Sequence, residues 1–285
     1  MSQARQARVT ADGAATQAVA VGVANVHREP DAAAELVTQA LLHTPARVLT
    51  TGAGWTRVRL PDYEGWVPAS ALAALPETSD RVAVVTAPKA ALSVATERDA
   101  QASEAVYATT VLPLLGAARV GWLPVALAGG RAGHIAAGDV ALRPAIQPFP
   151  AGGAPAAVAH ALRYRDVPYL WGGTTIEGVD CSGLVQLCWR AAGATIPRDA
   201  DQQFEALAYI AGRGELRAGD LVFFAAEGAI THVGLMLDHA RYIHAKGAPQ
   251  SAVIVSSFDP NSVESLPRLT AMYAGARRVL PVRAE

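Results

Sequence analysis

Charge of either sign is scarce in this chain. Charged residues make up 17% of 285 positions, and 24 Lys and Arg stand against 25 Asp and Glu, for a formal net charge of -1. No basic excess is available to draw in a polyanion, so nucleic acid and anionic lipid drop out as default partners. Long uninterrupted apolar runs are also missing. The longest uncharged stretch, residues 144–162, holds Pro144, Pro148, Pro150 and Pro155 plus Gly152 and Gly153, which excludes a membrane helix. Cysteine is limited to Cys181 and Cys188. Seven residues apart on one expected helix, they lie about 10.5 Å apart along its axis, beyond disulfide reach. Both are read as free thiols. What the chain has in plenty is apolar side chains, 51% of the total, a globular composition rather than a disordered one. At a prior of about 150 residues per domain, its length implies more than one core.

The start, MSQARQARVTADGAATQ, is basic as an export leader is, but no compact apolar segment follows it. AVAVGVANV alternates as a strand does, and a cytoplasmic location is the expectation. From about 17 to 145 short β-rich runs are broken by Pro, Gly and Asp, with helical spacing only in AAAELVTQALL; the pattern suggests small barrels. A faint repeat runs through this half: Trp55, Val58 and Gly65-Trp66-Val67 recur as Trp122, Val125 and Gly133-His134-Ile135. RPAIQPFPAGGAP, 143–155, reads as a linker. After it come a helix (AAVAHALRYR), a Gly-rich turn (YLWGGTTIEGVD), a second helix (CSGLVQLCWRAAG) and the strands DLVFFA, HVGLMLD, RYIHA and AVIVSSF, an α+β order. The expected units are 1–78, 79–147 and 148–285.

Asp180 is a good N-cap, which puts Cys181 in the first turn of the second helix. The free N–H groups and dipole there are expected to lower its pKa and raise its nucleophilicity. A small buried hydrophobe is the plainer reading of Cys181, and the one adopted for Cys188. A nucleophile needs a base. With Asp238 midway between His232 and His244, a hairpin at LDHAR would set the two histidines directly opposite each other, one orienting the other. That is the nucleophile, base and orienter of acyl-transfer enzymes. Zinc on Cys181, His232 and His244 is the rival, but no paired ligand motif anchors it, and the chemistry calls for no metal or cofactor. His27, His43, His134, His160 and His239 are read as surface or packing residues.

In order along the chain stand PYLWGG, VDCSGL, PRDADQQ, GDLVFF, THVG and YIHA. This stretch, from Pro168 to about Val255, resembles the NlpC/P60 cysteine peptidases of bacterial cell walls. The resemblance implies a papain-like core with Cys181 as nucleophile, His232 as general base, His244 as its orienter and Tyr169 near the oxyanion. The GW-V-P strand of the amino-terminal repeat is similar to bacterial SH3-like (SH3b) modules, although the second copy has His134 where the first has Trp66. The fold class expected is therefore α+β, a papain-like domain preceded by two small all-β barrels. Family members with this layout cut murein peptides that begin L-Ala-γ-D-Glu, after the glutamate. That implies a carboxylate, here Asp199 beside Arg198, on the free α-amine, and a tyrosine from the first barrel, here Tyr63, closing the pocket, with Glu29 or Glu35 adding negative charge. Ala200 replaces a common serine. Asp199 reads equally as a cap for DADQQFEALAYI, a role open to Asp201, and Tyr63 as a loop aromatic. The expectation is a cytoplasmic γ-D-glutamyl-L-diamino-acid endopeptidase of wall recycling; an exported hydrolase and an inert wall-binding protein are the alternatives.

Overall fold

The computed structural model describes residues 15–94 and 102–280, so most of the basic amino-terminal segment weighed as a leader lies outside the described residues. Two β-bodies fill the first half. In the first, Val23–His27, Leu36–Leu41, Pro45–Gly52, Trp55–Arg59 and Glu64–Pro68 join in one antiparallel sheet with Gln17–Val19 and Leu72–Ala74. Val26, Val37, Val58 and Val67 form its core. AAAELVTQALL is thus a strand and not a helix: Leu36–Leu41 pairs along its whole length with Val23–His27, and this pairing overrides the local periodicity. The second body is built from a four-stranded sheet with Lys89–Val94 and Ala102–Tyr107 and a three-stranded one, around Leu92, Leu112, Leu123 and Ile135. The sequence repeat is a structural one. The hairpin Trp55–Arg59/Glu64–Pro68 runs into a tight helical turn at Ala69–Ala71, as Trp122–Leu127/Arg131–Ala136 runs into Ala137–Asp139.

The third body carries helices α1 (Gly153–Leu162), α2 (Cys181–Ala191) and α3 (Ala200–Ala206) and one antiparallel six-stranded sheet. Across that sheet the order is Ala208–Ile210, Tyr273–Arg278, Leu221–Ala226, Ala229–Met236, Arg241–Lys246, Ala252–Ser257. α2 buries Leu184, Val185, Leu187 and Cys188 against Phe223, Val233, Leu235 and Ile243. An all-β amino-terminal region followed by an α+β unit is the fold class the sequence implied. The helix expected over DADQQFEALAYI stops at Ala206, because Ala208–Ile210 is drawn out as an edge strand on Tyr273–Arg278.

The bodies touch through specific polar contacts. His43, read as a packing residue, joins the two β-bodies: its Nδ1 donates to the Val111 carbonyl at 3.0 Å and its Nε2 accepts from the Ala128 N–H at 3.3 Å. Gly172, in the turn before α2, sits at φ +74 with the Leu36 carbonyl oxygen 2.6 Å from where a Cβ would stand. Only glycine allows both that backbone conformation and that approach of the first β-body. No described helix is long and apolar enough to cross a membrane.

Candidate active site

Asp180 ends an extended segment and caps α2, its Oδ1 accepting from the Gly183 N–H at 2.7 Å. Its Oδ2 accepts from the Gly172 N–H at 2.8 Å, so the same carboxylate fixes the Gly-rich turn. Arg198 completes the group: NH1 and NH2 fork onto Asp180 at 3.0 and 2.7 Å, NH1 also reaches Ser182 Oγ at 2.8 Å, and Nε donates to Thr38 Oγ1 of the first β-body at 2.9 Å. Arg198 is 1% exposed. Expected beside Asp199 at the substrate amine, Arg198 is a buried guanidinium with four of its five N–H groups engaged, which makes it a strut for the helix start.

Cys181 is 7% exposed and packs against the strand Ala229–Met236. Burial, with the Asp180 carboxylate behind it, pushes the thiol up to about 12, although backbone N–H groups of Val233 and Ser182 and the Arg198 charge pull the other way. The expected lowering at the helix start is therefore outweighed by desolvation. His232 moves oppositely, down to about 4, through burial and the nearby Lys246. Thiol and imidazole are both neutral at pH 7.

His232 Nε2 lies 2.7 Å from His244 Nδ1, and His244 Nε2 lies 2.9 Å from Ser256 Oγ. One proton arrangement leaves His232 Nδ1 free as an acceptor: Nε2–H of His232 donates to His244, whose own Nε2–H donates to Ser256. The strand register corrects the expected pairing. Leu235 faces Ile243 and Met236 faces Tyr242, so the hairpin centres on His239, not Asp238, and the two histidines are diagonal neighbours rather than direct opposites. Their rings meet edge to face with centroids 4.9 Å apart. An offset of two residues keeps both on one face. Gly234 lets the neighbouring strand approach: a Cβ there would stand 2.9 Å from the Tyr242 ring and 3.3 Å from His244 Cβ. Asp238 instead accepts from the Ala240 and Arg241 N–H groups in the turn.

Tyr169 lies half-buried near Cys181, its phenol pushed up first by burial and then by the cysteine and Asp180. On the outer side Tyr63 of the first β-body lies close to the Asp199 carboxylate. Burial and Asp199 push the Tyr63 phenol up to about 12. Asp199 occupies the N-cap position of α3 but makes no capping bond to its backbone, and its Oδ2 accepts from Gln202 Nε2 at 3.4 Å. Glu35 accepts from Arg28 Nε at 2.5 Å and from Trp171 Nε1 at 3.1 Å, and stays ionised below its ordinary range through the arginine bond. Glu29 is exposed and has no side-chain partner among the described residues. Ser256, Gly234, Arg28, Thr38 and Trp171 were given no role from sequence. Trp171 lies inside the quoted PYLWGG motif, whereas Ser256 needs the register of three strands to be placed. Among the described residues no group of His, Cys, Asp and Glu is arranged to hold a metal ion.

The NlpC/P60 family model matches residues 166–265, and the model of the bacterial dipeptidyl-peptidase SH3 domain matches residues 26–72. A γ-D-glutamyl-L-lysine dipeptidyl-peptidase of Bacillus cereus is 29% identical over 263 residues, covering 87% of this chain and 76% of that protein. The murein DD-endopeptidase/LD-carboxypeptidase of Escherichia coli is 37% identical over 118 residues, 41% of this chain and 58% of its own. A crystal structure of an NlpC/P60 family protein from Bacillus cereus superposes with a TM-score of 0.83 at 25% identity, covering 93% of this chain and all of that one.

Proposed function

We propose, from the premise that the chain carries an NlpC/P60 domain at residues 166–265 behind a bacterial SH3 domain at residues 26–72, that it is a cysteine endopeptidase cutting the γ-D-glutamyl–diamino acid bond of murein peptides with a free amino-terminal L-Ala. The observation that carries this reading is the closeness of Tyr63, from the first β-body, to Asp199, the residue after the Arg198 that braces the start of the Cys181 helix. A half-buried carboxylate closed over by a second body suits a short ligand bearing an ammonium group. The two relatives differ in the bond their names specify, and the match that extends through the β-bodies is to the γ-D-glutamyl-L-lysine dipeptidyl-peptidase.

In this mechanism the Cys181 proton passes to His232 Nδ1 as the sulfur attacks the γ-amide carbonyl. Backbone N–H groups at the start of α2, with the Tyr169 hydroxyl, meet the oxyanion. His232 gives its proton to the leaving amine as the C–N bond breaks. It then takes one from water, whose oxygen attacks the thioester and releases L-Ala-γ-D-Glu while the thiol is re-formed. His244, held by Ser256, keeps His232 in the required tautomer throughout. No step needs a cofactor. Units at 1–78, 79–147 and 148–285 and a place in cytoplasmic wall recycling complete the reading.

The test compares L-Ala-γ-D-Glu-L-Lys with its N-acetyl form. Removing the ammonium that Asp199 holds should lower kcat/KM about tenfold to a hundredfold. Cys181→Ala should abolish both reactions. Equal turnover of free tripeptide and intact MurNAc-linked stems would refute the recycling role.

A further inference from the structure

Only two of the 24 basic residues are lysines, Lys89 and Lys246. Lys89 is paired with Glu177 at 2.6 Å. Lys246 enters none of the ion pairs among the described residues, and its ammonium makes one long contact, 3.4 Å, to the Ala248 carbonyl. It ends the strand Arg241–Lys246, paired with Ala252, two residues beyond His244 and so on the same face. Since His244 Nδ1 lies 2.7 Å from His232 Nε2, Lys246 stands one step along that face from the two histidines. The next residue, Gly247, lies against Tyr169, 3.9 Å from its Cε1 at the nearest approach of a Cβ. Burial first, and then this ammonium, keeps His232 below its ordinary range. A half-buried, unpaired cation thus flanks the imidazole that protonates the leaving amine.

The imidazole that protonates the leaving amine faces the residue being released. In a γ-glutamyl–diamino acid bond the released residue carries its α-carboxyl on the carbon next to the leaving nitrogen. A free carboxylate at that point lies on the side of the scissile bond that His232 serves. The D-glutamate carboxylate, several bonds away on the acyl side, does not. Resting on the endopeptidase reading above, we propose that Lys246 binds the free α-carboxylate of the diamino acid and makes the enzyme selective for peptides that end there. Asp199 and Lys246 then measure the substrate by its two terminal charges, ammonium at one end and carboxylate at the other.

The experiment reads kcat/KM for L-Ala-γ-D-Glu-L-Lys against its C-terminal carboxamide in the wild type, Lys246→Met and Lys246→Arg. The wild type should favour the acid about tenfold or more, as one charge-assisted hydrogen bond predicts. Lys246→Met should bring the ratio close to one, and Lys246→Arg should preserve it. A merely structural lysine would lower both rates together and leave the ratio intact. Lys246→Gln repeats the comparison if the methionine variant does not fold. A wild-type ratio near one, or a ratio unchanged by loss of the ammonium, overturns the assignment and leaves the endopeptidase reading standing. Wild-type protein that cleaves neither peptide overturns both.

Discussion

Cys181 stands at a helix start, where free N–H groups ordinarily draw a proton off a thiol, yet its pKa lies at about 12 and that of His232 at about 4. In the proposed mechanism the attacking thiolate therefore forms as the proton crosses and not beforehand, and the acid limit on catalysis is protonation of His232. For the free-amine tripeptide, kcat/KM measured between pH 3 and 7 should fall with a midpoint near 4; a midpoint near 6.5 would mean that His232 titrates as it does in water. Stability follows the same residues. His232 and His160 are each held at about 4 in the fold by burial, against 6.5 in the unfolded chain. Between those values the unfolded chain binds more protons, so stability is fully present above about pH 6.5 and is lost as pH falls toward 4. Urea midpoints at pH 7 and pH 5 check this, with the lower midpoint expected at pH 5. The place of Cys181 at a helix start and the meeting of His232 with His244 were legible from motif and spacing. The sign of the thiol shift was not, because it depends on walls brought in from Val233 and beyond, which no local window contains.

Elements bring those residues into register, and here the sequence was informative about which strands exist and less so about how they align. HVGLMLD and RYIHA were recognisable as a hairpin, but its centre was misplaced by one residue, which shifts the pairing by two. The error spared the chemistry because a shift of two returns each side chain to its own face. It concealed Gly234, where a Cβ would press on the Tyr242 ring and on His244 Cβ. Gly234→Ala should displace His244, lowering kcat with KM little changed, as measured by steady-state turnover; an unaltered kcat would show that the ring needs no such room. Arg198 makes the complementary case at the start of α2. It carries a charge in the quoted PRDADQQ motif, and sequence alone cannot tell an inward guanidinium from an outward one. Replacing it with Met leaves the Asp180 carboxylate buried without its partner, at an expected loss of about 3 to 5 kcal/mol in denaturant unfolding, against near zero for a surface arginine.

The whole molecule is held together by bonds that leave no β-body independent of the site. Thr38 of the first body accepts from the buried Arg198, and Gln39 accepts from the Thr174 N–H at 3.0 Å, so the strand Leu36–Leu41 is hydrogen-bonded into the support of α2. The second body meets the first through His43 and through Arg131, which donates to the Ala20 carbonyl at 2.8 Å, and meets the third through Lys89 and Glu177. None of these contacts was visible in the sequence, which reads boundaries from composition but not which faces will meet. Each such hydrogen bond, exchanged for water on separation, contributes about 0.5 to 1.5 kcal/mol, and several together are a large share of the stability a body of some seventy residues can hold alone. The bodies are therefore expected to unfold together. Scanning calorimetry of the full chain should give one transition whose calorimetric and van't Hoff enthalpies agree. Thr38→Val, which removes the acceptor of the Arg198 Nε–H, should lower that transition as a whole rather than split off a shoulder. Two resolved transitions in the wild type, with only the lower one moved by Thr38→Val, would show instead that the β-bodies are tethered modules and that Tyr63 closes over Asp199 from a unit free to leave.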